Sequence, residues 1–288
     1  MDLAGLTVRE IEEYLRNLPE INEALLVELS RDPRAGLRSL AERWRRRLER
    51  QREEGERLRA LFRLERLKRQ EGYRRIAGVD EAGRGPLAGP VVASAVVLPE
   101  ECEIPGLNDS KRLSLRAREK VYEVIMATAV AVGVGVADVE EIEAYGIMEA
   151  TRLAWRRAIA QLSPPPDLVI LDGRVSLALP VPVLTVVDAD ALIACTAAAS
   201  VVSKVTRDRL MEELHRKYPQ YGFASHKGYG TRAHLQALER YGPSPAHRMS
   251  FLRTLQGREG ASTPSSRSPR KSGEDSGATS SHLGGEGE

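Results

Sequence analysis

The chain has 288 residues with 42% hydrophobic content, enough apolar material for one large domain or two modest ones. Its formal net charge is only +2 and its aromatic content 5%, which excludes nucleic-acid binding by bulk charge and disfavours a single-strand binder built on stacked rings. Two cysteines, Cys102 and Cys195, have neither metal-type nor CxxC spacing and point to a reducing compartment. No basic-then-apolar leader opens the chain, and the longest weakly polar run, Met126 to Ala137, is interrupted by Gly133 and Gly135. It is too short for a bilayer, so a cytoplasmic protein with no membrane association is expected.

Leu6 to Tyr73 reads as a helical appendage. Thr7 with Glu10 forms a capping-box pattern, followed by Ile11, Tyr14 and Leu15 at helical spacing. Helix-favouring residues continue over Asn22 to Ser30 and Leu37 to Gln70, interrupted at Asp32-Pro33. From Arg43 to Arg69 there are twelve Arg or Lys against five Glu, an excess of seven. This basic stripe is either a phosphate-contacting arm or a solvated helix held by i,i+4 Glu/Arg pairs.

The stretch Ile76 to Pro90, IAGVDEAGRGPLAGP, places Asp80 and Glu81 between an apolar run and a glycine-rich turn. With Val91 to Leu98 after the turn, it predicts a buried hairpin that delivers Asp80 at a strand end. A carboxylate there is expensive unless a partner or a metal compensates it. Gly83, Gly85 and Gly89 free the backbone to approach a ligand, and Arg84 adds a fixed positive charge. Ser114 caps a helix over Leu115 to Thr128, and Val130 to Ala137 reads as a strand. Asp138 caps a short acidic helix, with a longer amphipathic one over Ile147 to Leu162. Leu168 to Leu171 is a buried strand delivering Asp172; Leu184 to Val187 is another, delivering Asp188 or Asp190. If that strand continues, the two acids share a face, and geometry does not separate them. Ala191 to Leu214 predicts a helix carrying Ser200, Lys204, Arg207 and Asp208, and Arg232 to Tyr241 another. From Gly257 onward the Ser/Gly-rich composition predicts a disordered tail.

Strand-end carboxylates in an α/β protein can converge on one point. Phosphodiester hydrolysis needs a nucleophilic water and stabilisation of the leaving oxygen, and two Mg²⁺ or Mn²⁺ ions about 3.5 to 4 Å apart supply both. Such hard ions take carboxylate oxygens. His226 and His247 lack a helical partner at i+4 and zinc-type neighbours, which leaves a phosphate-contacting or structural role. Lys111, Lys204 and Arg207 are candidates for holding phosphates.

The strings GVDEAGRGPLAGPVVASAVVL, LNDSKRLS, LDG, AAASVVSKVTRDRLM, HKGYGT and SPAHRMSF occur in this order between Tyr73 and Leu255. Together they resemble bacterial ribonuclease HII. The resemblance implies a ribonuclease H-like α/β fold, a mixed sheet flanked by helices, with Asp80, Glu81, Asp172 and Asp190 as catalytic and metal-binding acids. It implies that the loop Gly83, Arg84, Gly85 and the tyrosine of the KGY motif, Tyr229, recognise a ribonucleotide beside its DNA neighbour. In the resembled family the fourth acid stands ten residues before the serine of AAAS, which selects Asp190 over Asp188. The chain departs from the family pattern at Asp188-Ala189 (usually Lys-Gly), Gly146 (commonly Asn) and Met249 (usually Arg).

The expected organisation is a helical basic extension over 1–72, a catalytic domain over 73–256 and a tail over 257–288. The expected partners are an RNA/DNA hybrid and ribonucleotide-containing DNA duplex, with no obligate protein partner. The rivals are a type HIII relative, against which the GRG loop argues, a non-catalytic nucleic-acid binder using the basic arm, and a transposase-like nuclease lacking the GRG and KGYG pair.

Overall fold

The computed structural model describes residues 5–260 except 20 and 101. A five-stranded mixed sheet of order β3-β2-β1-β4-β5 forms its centre. Strands β1 (Ile76–Ala82), β2 (Val91–Val97) and β3 (Ala131–Ala137) are antiparallel neighbours, while β4 (Leu168–Asp172) and β5 (Val183–Val186) run parallel to β1. The apolar strings predicted as β1 and β2 are buried almost throughout, as expected of strands covered on both faces.

Four helices precede the sheet: α1 (Val8–Asn17), α2 (Glu23–Arg31), α3 (Ala35–Leu61) and α4 (Arg63–Gln70). The Thr7/Glu10 capping box forms as predicted. Ile11, Leu15, Leu26, Leu29, Leu37, Leu40, Ala41 and Trp44 make a small core of their own. The far end of α3 does something else, because Leu58, Leu61 and Phe62 join the main core with Ile76, Val96, Ile170 and Val201. Packing therefore changes partners partway along α3, well before the compositional change near Tyr73.

Helix α5 (Leu115–Thr128) starts at the predicted Ser114 cap. The two helices expected after Asp138 form one kinked element, α6 (Val139–Ala160), bent at Gly146 with φ 76°. The helix expected over Ala191 to Leu214 is instead two: α7 (Ala189–Leu192), then α8 (Ala194–Lys217) after an extended Ile193. The run ACTAAASVVS makes α8 narrow enough to lie directly on β1, where a Cβ on Gly78 would strike the backbone of Cys195 and Thr196. On the opposite face, Gly133 and Gly135 let α6 bring the carbonyls of Ala158 and Ala154 against β3. These glycines permit close approach of backbone to sheet.

Two short segments follow, α9 (Phe223–His226) and α10 (Arg232–Tyr241). The chain divides after Met249, and of the second unit the described part is helical within α11 (Met249–Gly260). The tail expected from Gly257 thus begins inside a helix, and the remainder lies outside the described residues. Among the described residues no helix is long and apolar enough to cross a membrane.

Candidate active site

The parallel register Val79↔Leu171 between β1 and β4 brings the next residue of each strand, Asp80 and Asp172, to the same end of the sheet. Side chains alternate along β1, so the adjacent acids face opposite layers. Asp80 faces α8, with the Ser200 hydroxyl toward it, and its cross-strand partner Ser94 donates to the Ala199 carbonyl at 2.6 Å. Glu81 faces α6 and accepts from the Trp155 indole Nε1 at 3.0 Å.

The fourth acid is separated from its rival by the backbone. Strand β5 ends at Val186, and Asp188 takes a left-handed conformation, φ 57°, which aspartate tolerates better than most residues. The expectation that Asp188 and Asp190 share a strand face is therefore corrected: Asp188 is exposed, whereas Asp190, in the first turn of α7, is 5% exposed. The Ala189 amide of the same turn donates to Asp172 Oδ1 at 2.7 Å, locking α7 to the end of β4.

Electrostatics tie the acids together. Burial first, then the charges of Glu81 and Asp172, push the Asp80 carboxyl well above the usual range. Burial raises Glu81 against the opposing influence of Arg84 and Trp155. Asp172 is raised by burial and by the Asp190 charge. Two cations offset part of this repulsion. Lys111 Nζ lies 3.2 Å from Asp190 Oδ2, and Arg84 Nη1 lies 3.2 Å from Glu81 Oε1. Burial lowers the Lys111 ammonium, but Asp190 outweighs it and the net shift is upward. The LNDSKRLS motif places that lysine. Asp109 caps the Lys111 amide at 2.9 Å, and Ser110 Oγ meets Ser200 Oγ at 2.9 Å.

The donor set is carboxylate oxygen alone, and mutual repulsion makes these acids receptive to a hard divalent ion. Among the described residues no group of three or more His, Cys, Asp or Glu side chains stands close enough together to hold a metal ion; Lys111 and Arg84 balance the charge in the arrangement seen.

Beside the acids lies the glycine-rich loop, and its shape depends on two buried arginines. Arg248, fully buried, donates to the carbonyls of Gly83 at 2.6 Å, Arg84 at 3.0 Å and Gly89 at 2.9 Å. Arg207, 1% exposed, donates to the carbonyls of Pro90 at 3.1 Å, Ala88 at 3.2 Å and Lys227 at 3.1 Å. Arg207, expected as a phosphate contact, braces the loop through Nε and Nη2, and at 1% exposure it has little surface left to offer a phosphate. A Cβ on Gly83, at φ 97°, would collide with that same Arg207 side chain, so this position requires glycine. Tyr229 is 48% exposed, with a ring carbon 3.9 Å from where a Gly85 Cβ would stand. Lys204 is held by Asp208 at 2.6 Å, and Asp208 also takes Arg118; a phosphate would have to compete for it.

His247 is 2% exposed and bonded to His234, and His226 accepts from the Gly228 amide, so both expected histidines are structural. Sequence reasoning passes over Trp155, Arg248 and His234. Arg248 lies within the SPAHRMSF string; the other two carry no signal of their own, being an aromatic and a histidine at ordinary helical positions.

A mixed sheet carrying four carboxylates at one end, between helices on both faces, defines a hydrolase of the ribonuclease H-like class, built for phosphodiester cleavage. Residues 77–254 match the family model described as Ribonuclease HII, and residues 7–69 match that of the Ribonuclease HII N-terminal domain. Ribonuclease HII of Bacillus licheniformis is 48% identical over 246 residues, 85% of this chain and 96% of the relative. Ribonuclease HII of Bacillus subtilis is 44% identical over the same length and shares. Among solved structures, ribonuclease H2 from Pyrococcus horikoshii superposes with TM-score 0.55 at 28% identity, covering 64% of this chain and 98% of that one. The chain belongs to the ribonuclease HII family. It is a ribonuclease H, an endonuclease acting on RNA/DNA hybrids.

Proposed function

We propose that this enzyme cuts on the 5′ side of single ribonucleotides embedded in duplex DNA, as well as within the RNA strand of hybrids, with Mg²⁺ or Mn²⁺ held at a two-ion centre by Asp80, Glu81, Asp172 and Asp190. The carrying observation is the convergence of these acids beside a glycine loop whose carbonyls of Gly83, Arg84 and Gly89 are turned inward by Arg248. Divalent ions bound there supply an activated water and charge stabilisation at the leaving oxygen.

The protein's own groups do the rest. With the loop carbonyls drawn inward, the backbone of Gly83 to Gly85 is free to approach a sugar and to read the 2′-hydroxyl, which donates and accepts. Tyr229, exposed over Gly85, lies where a sugar or base can rest against it. Lys111, with its side chain 77% exposed, reaches a phosphate while remaining near Asp190. The basic stripe on α3 and α4 adds sequence-independent phosphate contacts, making the extension over 1–72 a holding arm whose later part, from Leu58, is built into the core of the catalytic body.

The test is cleavage of three 5′-labelled duplexes, one with a single ribonucleotide, one RNA/DNA hybrid and one all-DNA, in Mg²⁺ or Mn²⁺. A cut mapped 5′ to the lone ribonucleotide, with the all-DNA duplex intact, is expected. A cut only in the hybrid, or on the other side of the ribonucleotide, would contradict the reading.

A further inference from the structure

Of the three histidines near the KGYG segment, His234 and His247 are hydrogen-bonded to each other and His226 stacks on His234, and the tautomers of all three can be assigned from partners alone. His234 Nδ1 lies 2.9 Å from the Tyr229 carbonyl. A carbonyl only accepts, so Nδ1 carries the proton and, in a neutral ring, Nε2 is bare. His247 Nε2 lies 3.0 Å from that bare nitrogen and must donate to it. His247 Nδ1 is then the acceptor, and the Ser244 amide donates to it at 2.9 Å, closer than the Ser244 carbonyl at 3.3 Å. His226 follows the same logic. Its Nε2 donates to the Tyr221 carbonyl at 2.7 Å and its Nδ1 accepts from the Gly228 amide at 3.2 Å. Every ring has one nitrogen facing an acceptor and one facing a donor, so all three are satisfied in one neutral arrangement.

The His234 and His247 pair connects two segments that both touch the glycine loop. His247 bridges to Ala88, and the neighbouring Arg248 amide donates to the Leu87 carbonyl at 2.8 Å. On the other side the Leu87 amide donates to the Gly228 carbonyl at 2.9 Å, one residue before Tyr229. His234 and His247 are buried, with His226 stacked on His234 at 4.5 Å and Tyr221 edge-on to His247 at 4.7 Å. Tyr229 itself projects outward on a short turn: its amide donates to the His226 carbonyl at 3.0 Å, and its carbonyl takes the Thr231 amide at 2.8 Å beside His234 Nδ1, the one side chain of the three that reaches it.

We propose that His247 and His234 are positioning residues for substrate selection: the relay Ser244 to His247 to His234 to the Tyr229 carbonyl sets the Tyr229 ring over Gly85, and with it the preference for a ribonucleotide next to DNA. The inference rests on the reading of Tyr229 as a ribonucleotide contact. His234 touches no substrate and acts only through the Tyr229 backbone.

The experiment compares His234→Ala and His234→Asn in the full-length enzyme, measuring kcat and KM on a single-ribonucleotide duplex and on an RNA/DNA hybrid, with Tm recorded for each variant. The asparagine amide reproduces the Nδ1 donor to Tyr229 but not the Nε2 contact. His234→Ala is expected to lower the single-ribonucleotide rate relative to the hybrid rate by about tenfold, the scale of one buried hydrogen bond lost. His234→Asn is expected to restore most of that ratio although its Tm falls as well. Parallel losses on both substrates in both variants would overturn the proposal and leave the relay as packing. Should His234→Ala fail to fold, His234→Leu, which fills the site without the Nδ1 donor to Tyr229, must show the same selectivity loss or the proposal fails. Tyr229→Ala separates the two layers: if it is unselective, the Tyr229 reading falls and the relay's role with it; if it is selective while His234→Ala is not, only the relay is wrong.

Discussion

Asp190 and Asp188 differ by two positions and stand in opposite environments, one buried beside Lys111 and Asp172, the other exposed on a left-handed turn. Asp190→Asn is therefore expected to lower kcat/KM by more than about a hundredfold, beyond the range for losing a supporting residue of a metal site, while Asp188→Asn stays within a few-fold. Steady-state cleavage of a hybrid checks this; a larger loss at Asp188 would move the fourth ligand along the chain. Asp80 and Asp172 are legible in the sequence, because a carboxylate at the end of an apolar strand is costly to bury without a cation or a hydrogen-bond partner. Asp190 is legible only through its motif, since the turn at Asp188 breaks the strand periodicity on which a geometric argument would rest. The bracing role of Arg207 is not legible for a physical reason: an arginine on a helix beside a nuclease centre looks like a phosphate contact, and only the folded chain shows six backbone carbonyls divided between it and Arg248.

At the scale of elements, α3 and α4 serve two bodies. Their early part closes the small helical core, and their later part supplies Leu58, Leu61 and Phe62 to the main one. Glu65 of α4 is 1% exposed and accepts the Cys195 amide at 2.8 Å, capping α8, whose own Ile193 offers no side-chain cap. Removal of residues 1–48 is expected to leave a folded nuclease with weaker hybrid binding and a salt dependence flatter by about 0.9 log units per lost phosphate contact. Removal of 1–71 strips the core and the cap and is expected to give an unstable protein; equal Tm for full-length and 1–71-deleted chains would refute the buttress. Glu65→Ala alone should cost about 1 to 2 kcal/mol by denaturant unfolding, the range for a lost helix cap. The capping box, the Ser114 start and the strands are legible from local chemistry. The change of partner within α3 is not, because a charged helix with apolar positions along its length reads the same whichever core those positions meet.

For the whole molecule, pH pulls stability two ways. Burial, then the neighbouring His234, lowers His247 to about 4, and burial lowers His234, so as pH falls below 6.5, and for His247 down to about 4, the unfolded chain binds protons that the native state refuses. Stability conferred by these neutral rings is present above pH 6.5 and is lost as pH falls, by up to about 1.4 kcal/mol per pH unit for each histidine. Asp80, Glu81 and Asp172, raised by burial, act with the opposite sign: they favour the native state when protonated and oppose it as pH rises. Denaturant midpoints at pH 7 and pH 5 for the wild type and for His247→Gln separate the two, with a shallower acid loss expected in the variant. Identical slopes would show that the relay does not set the acid limb.

The same repulsion makes cation binding a stabilising event, since an ion that binds only the native state raises stability with concentration. The most direct measurement is a Mn²⁺ titration of wild type, Asp80→Asn and Asp172→Asn, following Tm and hybrid cleavage on the same samples. The four-carboxylate centre predicts that Tm and cleavage rise together in the wild type and that both responses are lost or shifted to much higher Mn²⁺ in the variants. Full cleavage by Asp80→Asn, or a Tm rise of equal size in all three proteins, would contradict it.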